Sequence, residues 1–133
     1  MTSYILDTNI LSDLIDNPLG TAQKRLDSLN NVWICTSIIS AAELRYGAVR
    51  KQSLRLSHEV EEVLSRIEIV AFSPDVDRHY AYLRYQLERK GTPIGANDML
   101  IAAHALALDA TLVTANTREF ARIDGLRLEN WLD

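Results

Sequence analysis

Apolar positions along this chain follow two alternating rhythms. Short continuous runs are succeeded by longer stretches in which Leu, Ile, Val and Ala recur every three or four positions. The run Tyr4 to Leu6 predicts a strand. It ends at Asp7, and Thr8 and Asn9, both good helix caps, precede a helical pattern of Ile10, Leu11, Leu14 and Ile15. Asn17-Pro18 marks a turn, and Leu19, Ala22, Leu26 and Leu29 predict a second helix over 19–29. A second strand spans 32–36. Ser37 then suits the cap of a helix carrying Ile38, Ile39, Ala41, Ala42, Leu44 and Tyr46, whose end Gly47 would loosen. Residues 52–66 predict another amphipathic helix, and the nearly continuous helix over 44–66 suggests a hairpin arm projecting from the sheet.

The second half repeats the alternation. A third strand is expected over 67–72 and a helix over 76–89 with Tyr80, Leu83 and Leu87 inward. After the loop 91–95, Asn97 or Asp98 opens a helix bearing Leu100, Ile101, His104 and Leu108. A strand follows over 110–114, then a short turn from Asn116 through Phe120, then an edge strand at 126–128. Strands alternating with helices predict parallel βαβ units in one α/β domain covering 1–133. Asp7 then stands at the carboxyl end of a buried strand, where open α/β sheets bind ligands.

Composition narrows the function. With 133 residues, 47% of them hydrophobic, one packed core is expected and two domains are not. The single cysteine, Cys35, lies in the apolar run Val32-Trp33-Ile34-Cys35. It makes no internal disulfide and suits a reducing, cytoplasmic setting as a small buried hydrophobe. No run is long enough to span a membrane, and no signal peptide opens the chain. The net charge of −4 argues against broad phosphate contact, but Arg45, Arg50, Lys51 and Arg55 form a stretch free of acids, so a local basic patch is compatible with it.

Three acids stand apart by context. Asp7 ends a strand, although capping the next helix is a sufficient role for it. Glu43 shares a helical face with Ile39, and a carboxylate there needs a cation, a metal or an edge position; pairing with Arg50 is the plain alternative. Asp98 lies in a first helical turn, where the macrodipole already favours an acid. Asn116 occupies a fourth strand-end position and offers an amide oxygen, with Glu119 as an alternative acid nearby. If Asp7, Glu43 and Asp98 meet, their repulsion makes a hard cation such as Mg²⁺ or Mn²⁺ the natural complement. That arrangement suits phosphodiester hydrolysis. His58, His79 and His104 lack ligand spacing and are expected to be structural. No phosphate-binding glycine loop or nucleophile elbow is present. A receiver-like signalling domain is the rival, but Lys24, Lys51 and Lys90 do not follow strands.

Four stretches in order carry a resemblance: Leu6-Asp7-Thr8-Asn9, Ala42-Glu43-Leu44-Arg45-Tyr46-Gly47, Asn97-Asp98-Met99-Leu100-Ile101-Ala102-Ala103, and Leu112-Val113-Thr114-Ala115-Asn116-Thr117-Arg118-Glu119-Phe120. They resemble the PIN-domain ribonucleases, and among these the VapC toxins of type II toxin–antitoxin pairs. The ending Gly125-Leu126-Arg127-Leu128-Glu129-Asn130-Trp131 is similar too. The resemblance implies a PIN-like α/β/α sandwich around a parallel sheet of about five strands. It implies Mg²⁺- or Mn²⁺-dependent cleavage of RNA, with tRNA a common substrate class. It also implies a homodimer and a VapB-type antitoxin that blocks the site and alone contacts operator DNA. Asp7, Glu43 and Asp98 take the acidic, metal-holding roles, with Asn116 or Glu119 fourth, since many PIN domains carry an acid where this chain has Asn116. Thr114 and Asn116 would bind metal waters, and Arg45, Arg50 and Lys51 would face RNA or the antitoxin. A PIN fold without activity that only binds a partner is the second alternative.

Overall fold

A computed structural model describes residues 1–132. Five parallel strands form one sheet: β1 (Thr2–Leu6), β2 (Val32–Ser37), β3 (Glu68–Val70), β4 (Thr111–Val113) and β5 (Leu128–Glu129), in the order β3-β2-β1-β4-β5. The first three strands step outward from β1 in one direction, and the chain then crosses back to add β4 and β5 on the other side. The direction reverses between β1 and β4. The gap beyond the carboxyl ends of those two strands is therefore the topological switch point, the crevice where such sheets take ligands.

The pleat divides the core into two layers. Tyr4, Leu6 and Val113 point to one face, covered by α1 (Thr8–Asp16), α2 (Thr21–Ser28), α3 (Ile38–Lys51) and α4 (Leu54–Ser65). Ile5, Cys35 and Leu112 point to the other, covered by α5 (Val76–Lys90), α6 (Ala96–Ala107) and α7 (Thr117–Phe120). This is the expected α/β/α sandwich. Cys35 is buried, and burial pushes its thiol up to about 12, so it behaves as a hydrophobe. Among the described residues no helix is long and apolar enough to cross a membrane.

Several boundaries differ from expectation. Gly47 does not loosen α3, which continues to Lys51 because Leu44 and Ala48 are held in the core on either side of it. The 44–66 region is a hairpin, broken at Gln52, but it lies down on the sheet instead of projecting. Val60, Val63 and Leu64 of α4 join the core, and Arg45 clips α3 to Glu61 of α4 through two bonds of 3.0 and 2.9 Å. β3 is shorter than the predicted 67–72, and α6 begins at Ala96 with Gly95 at its cap position. Gln52 adopts φ 52°, a left-handed conformation costly for a residue with a Cβ. Gln52→Gly is expected to raise stability by about 0.5–1 kcal/mol, measured as an increased urea midpoint at unchanged m-value.

Candidate active site

Asp7 follows the last residue of β1 and is 4% exposed. Its backbone N–H donates to the Val113 carbonyl at 2.9 Å, fixing the switch point at the ends of β1 and β4. Asp7 is itself the cap of α1, and Thr8 is the first residue of that helix. Its Oδ1 accepts the Thr8 N–H at 2.8 Å, while Oδ2 accepts the Thr114 hydroxyl at 2.8 Å and the Asn9 amide at 3.4 Å. Burial raises the Asp7 carboxyl above its ordinary range. The Thr114 and Thr8 bonds oppose that rise, and Glu43 and Glu119 add to it.

Glu43 reaches the same rim from α3. Ser37, at the end of β2, starts that helix by accepting the Ile39 N–H at 3.1 Å. One turn later the Glu43 carboxylate accepts the Thr8 hydroxyl at 2.6 Å and the Asn97 amide at 3.2 Å. Arg50, its simplest sequence partner, makes no ion pair with it among the described residues.

Asp98 sits in the first turn of α6 and is half-buried. Burial, followed by the negative charge of Glu119, pushes its carboxyl up to about 7, with Asp7 and Glu43 contributing. Glu119 is its hydrogen-bonded neighbour. Burial acts to raise Glu119, but bonds from Asn116, the Gly95 N–H (3.2 Å) and Asp98, with Arg122 nearby, outweigh it and hold the group below the usual carboxylate range. Asp98 and Glu119 thus titrate as a pair, with Asp98 the partner that holds a proton to higher pH.

Asn116 does not turn its amide to Asp7. The amide donates to Glu119, and its backbone N–H donates to the Thr114 hydroxyl at 3.0 Å. Of the two candidates for the fourth position, Glu119 joins the acidic group and Asn116 positions it. A signal for this was present: Asn116 and Glu119 have the spacing of a helix cap and its third residue, which brings their side chains together. Thr8, Asn9 and Asn97 were seen only as helix starters, yet they orient Glu43 and Asp7. Asn9 also accepts the Ala115 N–H at 3.1 Å. Asn116→Ala is expected to release Glu119 and lower activity about 10- to 100-fold with little change in melting temperature, since Asn116 is exposed.

Among the basic candidates, Arg45 is engaged with Glu61, while Arg50 and Lys51 are exposed at the end of α3. Lys51 and Glu43 line a cleft of about 170 Å³ between α1, α3 and α4. The three histidines stay apart. His104 is buried, with Nδ1 2.8 Å from Ser37 Oγ and its ring edge-on to Phe72.

Asp7, Glu43, Asp98 and Glu119 form no ion pair among the described residues. Every donor they offer is oxygen, which suits a hard divalent cation. As placed, no three His, Cys, Asp or Glu side chains among the described residues are grouped to hold an ion by themselves. A cation held here would have to keep part of its water shell.

Parallel order, switch-point acids and flanking helices define a PIN domain, and the PIN domain family pattern matches residues 4–126. The chain belongs to the PIN-domain family, in its VapC branch. It is 45% identical to a ribonuclease VapC2 of Rickettsia felis over 130 residues, 96% of this chain and 97% of that one. It is 37% identical to a tRNA(fMet)-specific endonuclease VapC of Shigella flexneri, covering 98% and 99% of the two chains. Among solved structures, VapBC2 from Rickettsia felis bound to a DNA fragment from its promoter superposes with a TM-score of 0.93 at 43% identity, covering 98% and 99%.

Proposed function

We propose that this chain is a metal-dependent endoribonuclease, the toxin of a VapBC-type pair, cutting RNA of which tRNA is the favoured class. The observation that carries the proposal is the convergence of Asp7, Asp98 and Glu119 beside the β1/β4 switch point, near enough that the charges of Asp7 and Glu119 raise the Asp98 carboxyl, with no ion pair to any of the three among the described residues. The names of full-length relatives support the ribonuclease reading, tRNA among their substrates.

Asp7, Asp98 and Glu43 would hold Mg²⁺ or Mn²⁺, directly or through water. Such an ion supplies charge neutralisation on the phosphate and a more acidic bound water. The chain's own groups do the rest. Thr8 and Thr114 fix the two oxygens of Asp7. Thr8 and Asn97 aim Glu43 at the site mouth, where it orients the attacking water. A cation bound there would favour the ionised form of the Asp98–Glu119 pair, and Asn116 and Gly95 keep Glu119 in place.

A VapB-type antitoxin is the proposed protein partner, with operator DNA reached only through it, and the cleft beside Glu43 and Lys51 is the proposed seat of its inhibitory segment. A homodimer is the proposed assembly of the toxin. Antitoxin-free protein incubated with RNA should cleave it in Mg²⁺ and stop when a chelator is added. Unchanged cleavage in chelator would overturn the metal, and no cleavage of any RNA would overturn the nuclease.

A further inference from the structure

A cavity of about 440 Å³ lies between α5, the end of α6 and the turn at 122–124. Its floor is apolar: Leu83, Leu87 and Ile123 are almost wholly buried around it. At its mouth Tyr82 is 70% exposed, a large aromatic ring left in water on the wall of an apolar hollow. Gln86 adds an amide that both donates and accepts, and Arg122 adds a guanidinium. Single-stranded RNA is held by this combination: an aromatic face for a base, a two-way hydrogen bonder for its edge, and a cation for its phosphate.

Arg122 is the cation of the cavity: its Nη1 donates to the Pro93 carbonyl at 3.1 Å, it lies near the Glu119 carboxylate, and it makes no close ion pair among the described residues. The carboxylate on the rim, Asp124, is neutralised by Lys90 at 3.1 Å. Along α5, Arg78, Tyr82, Tyr85 and Arg89 are all exposed and spaced four, three and four residues apart, so they share one helical face. Arg89 lies 5.7 Å over the Tyr85 ring. One lining residue ties the cavity to the acids: Arg122 lies near enough to Glu119 for its charge to hold that carboxyl down. Arg122 follows Glu119 by one turn, its N–H donating to the Glu119 carbonyl at 3.2 Å, and the loop it braces delivers the Gly95 N–H to the Glu119 carboxylate.

We propose that this cavity takes a nucleobase of the RNA lying across the acidic cleft, with the Tyr82 ring as its stacking face and Arg122 beside the neighbouring phosphate. The proposal rests on the ribonuclease reading above and adds a subsite to it. A size of a few hundred cubic ångströms suits a ligand of nucleoside class.

The test uses the full chain carrying Asp7→Asn, so that RNA binds without being cut, and fluorescein-labelled short oligo(A), oligo(C) and oligo(U) read by anisotropy. Adding Tyr82→Ala should weaken binding roughly five- to hundredfold, the range of a lost base–aromatic stack, and unequally among the three oligomers. Tyr82→Phe should retain wild-type affinity, because the ring and not the hydroxyl carries the contact. Tyr82 is exposed, so melting temperature should not move. Equal affinities for Tyr82→Ala and its parent would overturn the subsite. So would a Tyr82→Ala protein that becomes monomeric at unchanged RNA affinity, because a second copy of the chain would then cover this face. Cleavage by the chain with Asp7 intact is scored separately. Retained cleavage with no effect at Tyr82 removes only the subsite, whereas RNA binding through Tyr82 without any cleavage removes only the nuclease. A chain that neither binds nor cuts RNA removes both.

Discussion

Replacing Asp7 with asparagine should lower single-turnover RNA cleavage by about 10²–10⁴-fold, the range of one electrostatic or acid–base group, while leaving the fold at least as stable as before. The two effects together separate the roles open to Asp7. As a helix cap alone, it would contribute about 1 kcal/mol, and its replacement would change stability more than rate. Asparagine is itself a good cap and keeps an oxygen for the Thr8 N–H, while the Thr114 hydroxyl can accept from the new amide. What disappears is a buried negative charge beside Glu43 and Glu119. Its loss relieves repulsion in the metal-free protein and removes a ligand from the cation-bound one. Cleavage at the wild-type rate would return Asp7 to the status of a cap. A sharply lowered melting temperature with proportionate activity would do the same.

The second large effect is a linkage between pH, stability and magnesium. Asp98 carries a folded-state pKa of about 7 against 3.8 for the free side chain. Between those values the folded protein keeps a proton that the unfolded chain has released, so stability falls as pH rises through that window and is flat outside it. Asp7 shifts in the same direction. His104, held neutral by burial, acts oppositely, with its contribution lost as pH falls below about 6.5. Comparing the protein with its Asp98→Asn variant cancels the histidine. Without metal, the variant should melt higher than its parent at about pH 8 and level with it at about pH 4. Mg²⁺ should raise the parent's melting temperature more at the higher pH, where the proton no longer competes, and raise the variant's less. Equal responses to Mg²⁺ at both pH values, or in both proteins, would sink the metal assignment for Asp98.

Much of the architecture was legible because this chain's local and global preferences agree. The run Tyr4 to Leu6 ends at an acid, Ser37 is a good cap where one is needed, and Asn17-Pro18 cannot continue a helix, so strands, helices and their order follow. The places where expectation slipped are those decided by packing. A glycine at position 47 is a weak point in an isolated helix, but Leu44 and Ala48 hold it in register against the sheet. The α3–α4 hairpin lies flat because Val60, Val63 and Leu64 need cover, which helical periodicity cannot specify. Asp7 was visible from a strand end, Asp98 from a helix start, and Glu43 from its place inside a mostly apolar helix. The choice between Asn116 and Glu119 was not, because it turns on which way one amide faces. That depends on α7 being anchored by buried Phe120, so that Glu119 meets Gly95 from a distant loop.

The central place of β1 has a further consequence, for the timing of synthesis. β1 is made first, but its neighbour β4 and the Glu119 carboxylate lie more than a hundred residues later. A chain still emerging from the ribosome therefore holds Asp7 and Glu43 with no partner strand on one side and no Glu119. Contacts of such long sequence separation form late. A nascent chain is therefore expected to be inert toward the RNA around it until β4 and Glu119 are free to fold onto β1, which would leave a partner most of the period of translation in which to be present first. Ribosome-stalled chains ending before β4 should accordingly be open to protease and without cleavage activity, and those extending past β5 should be neither.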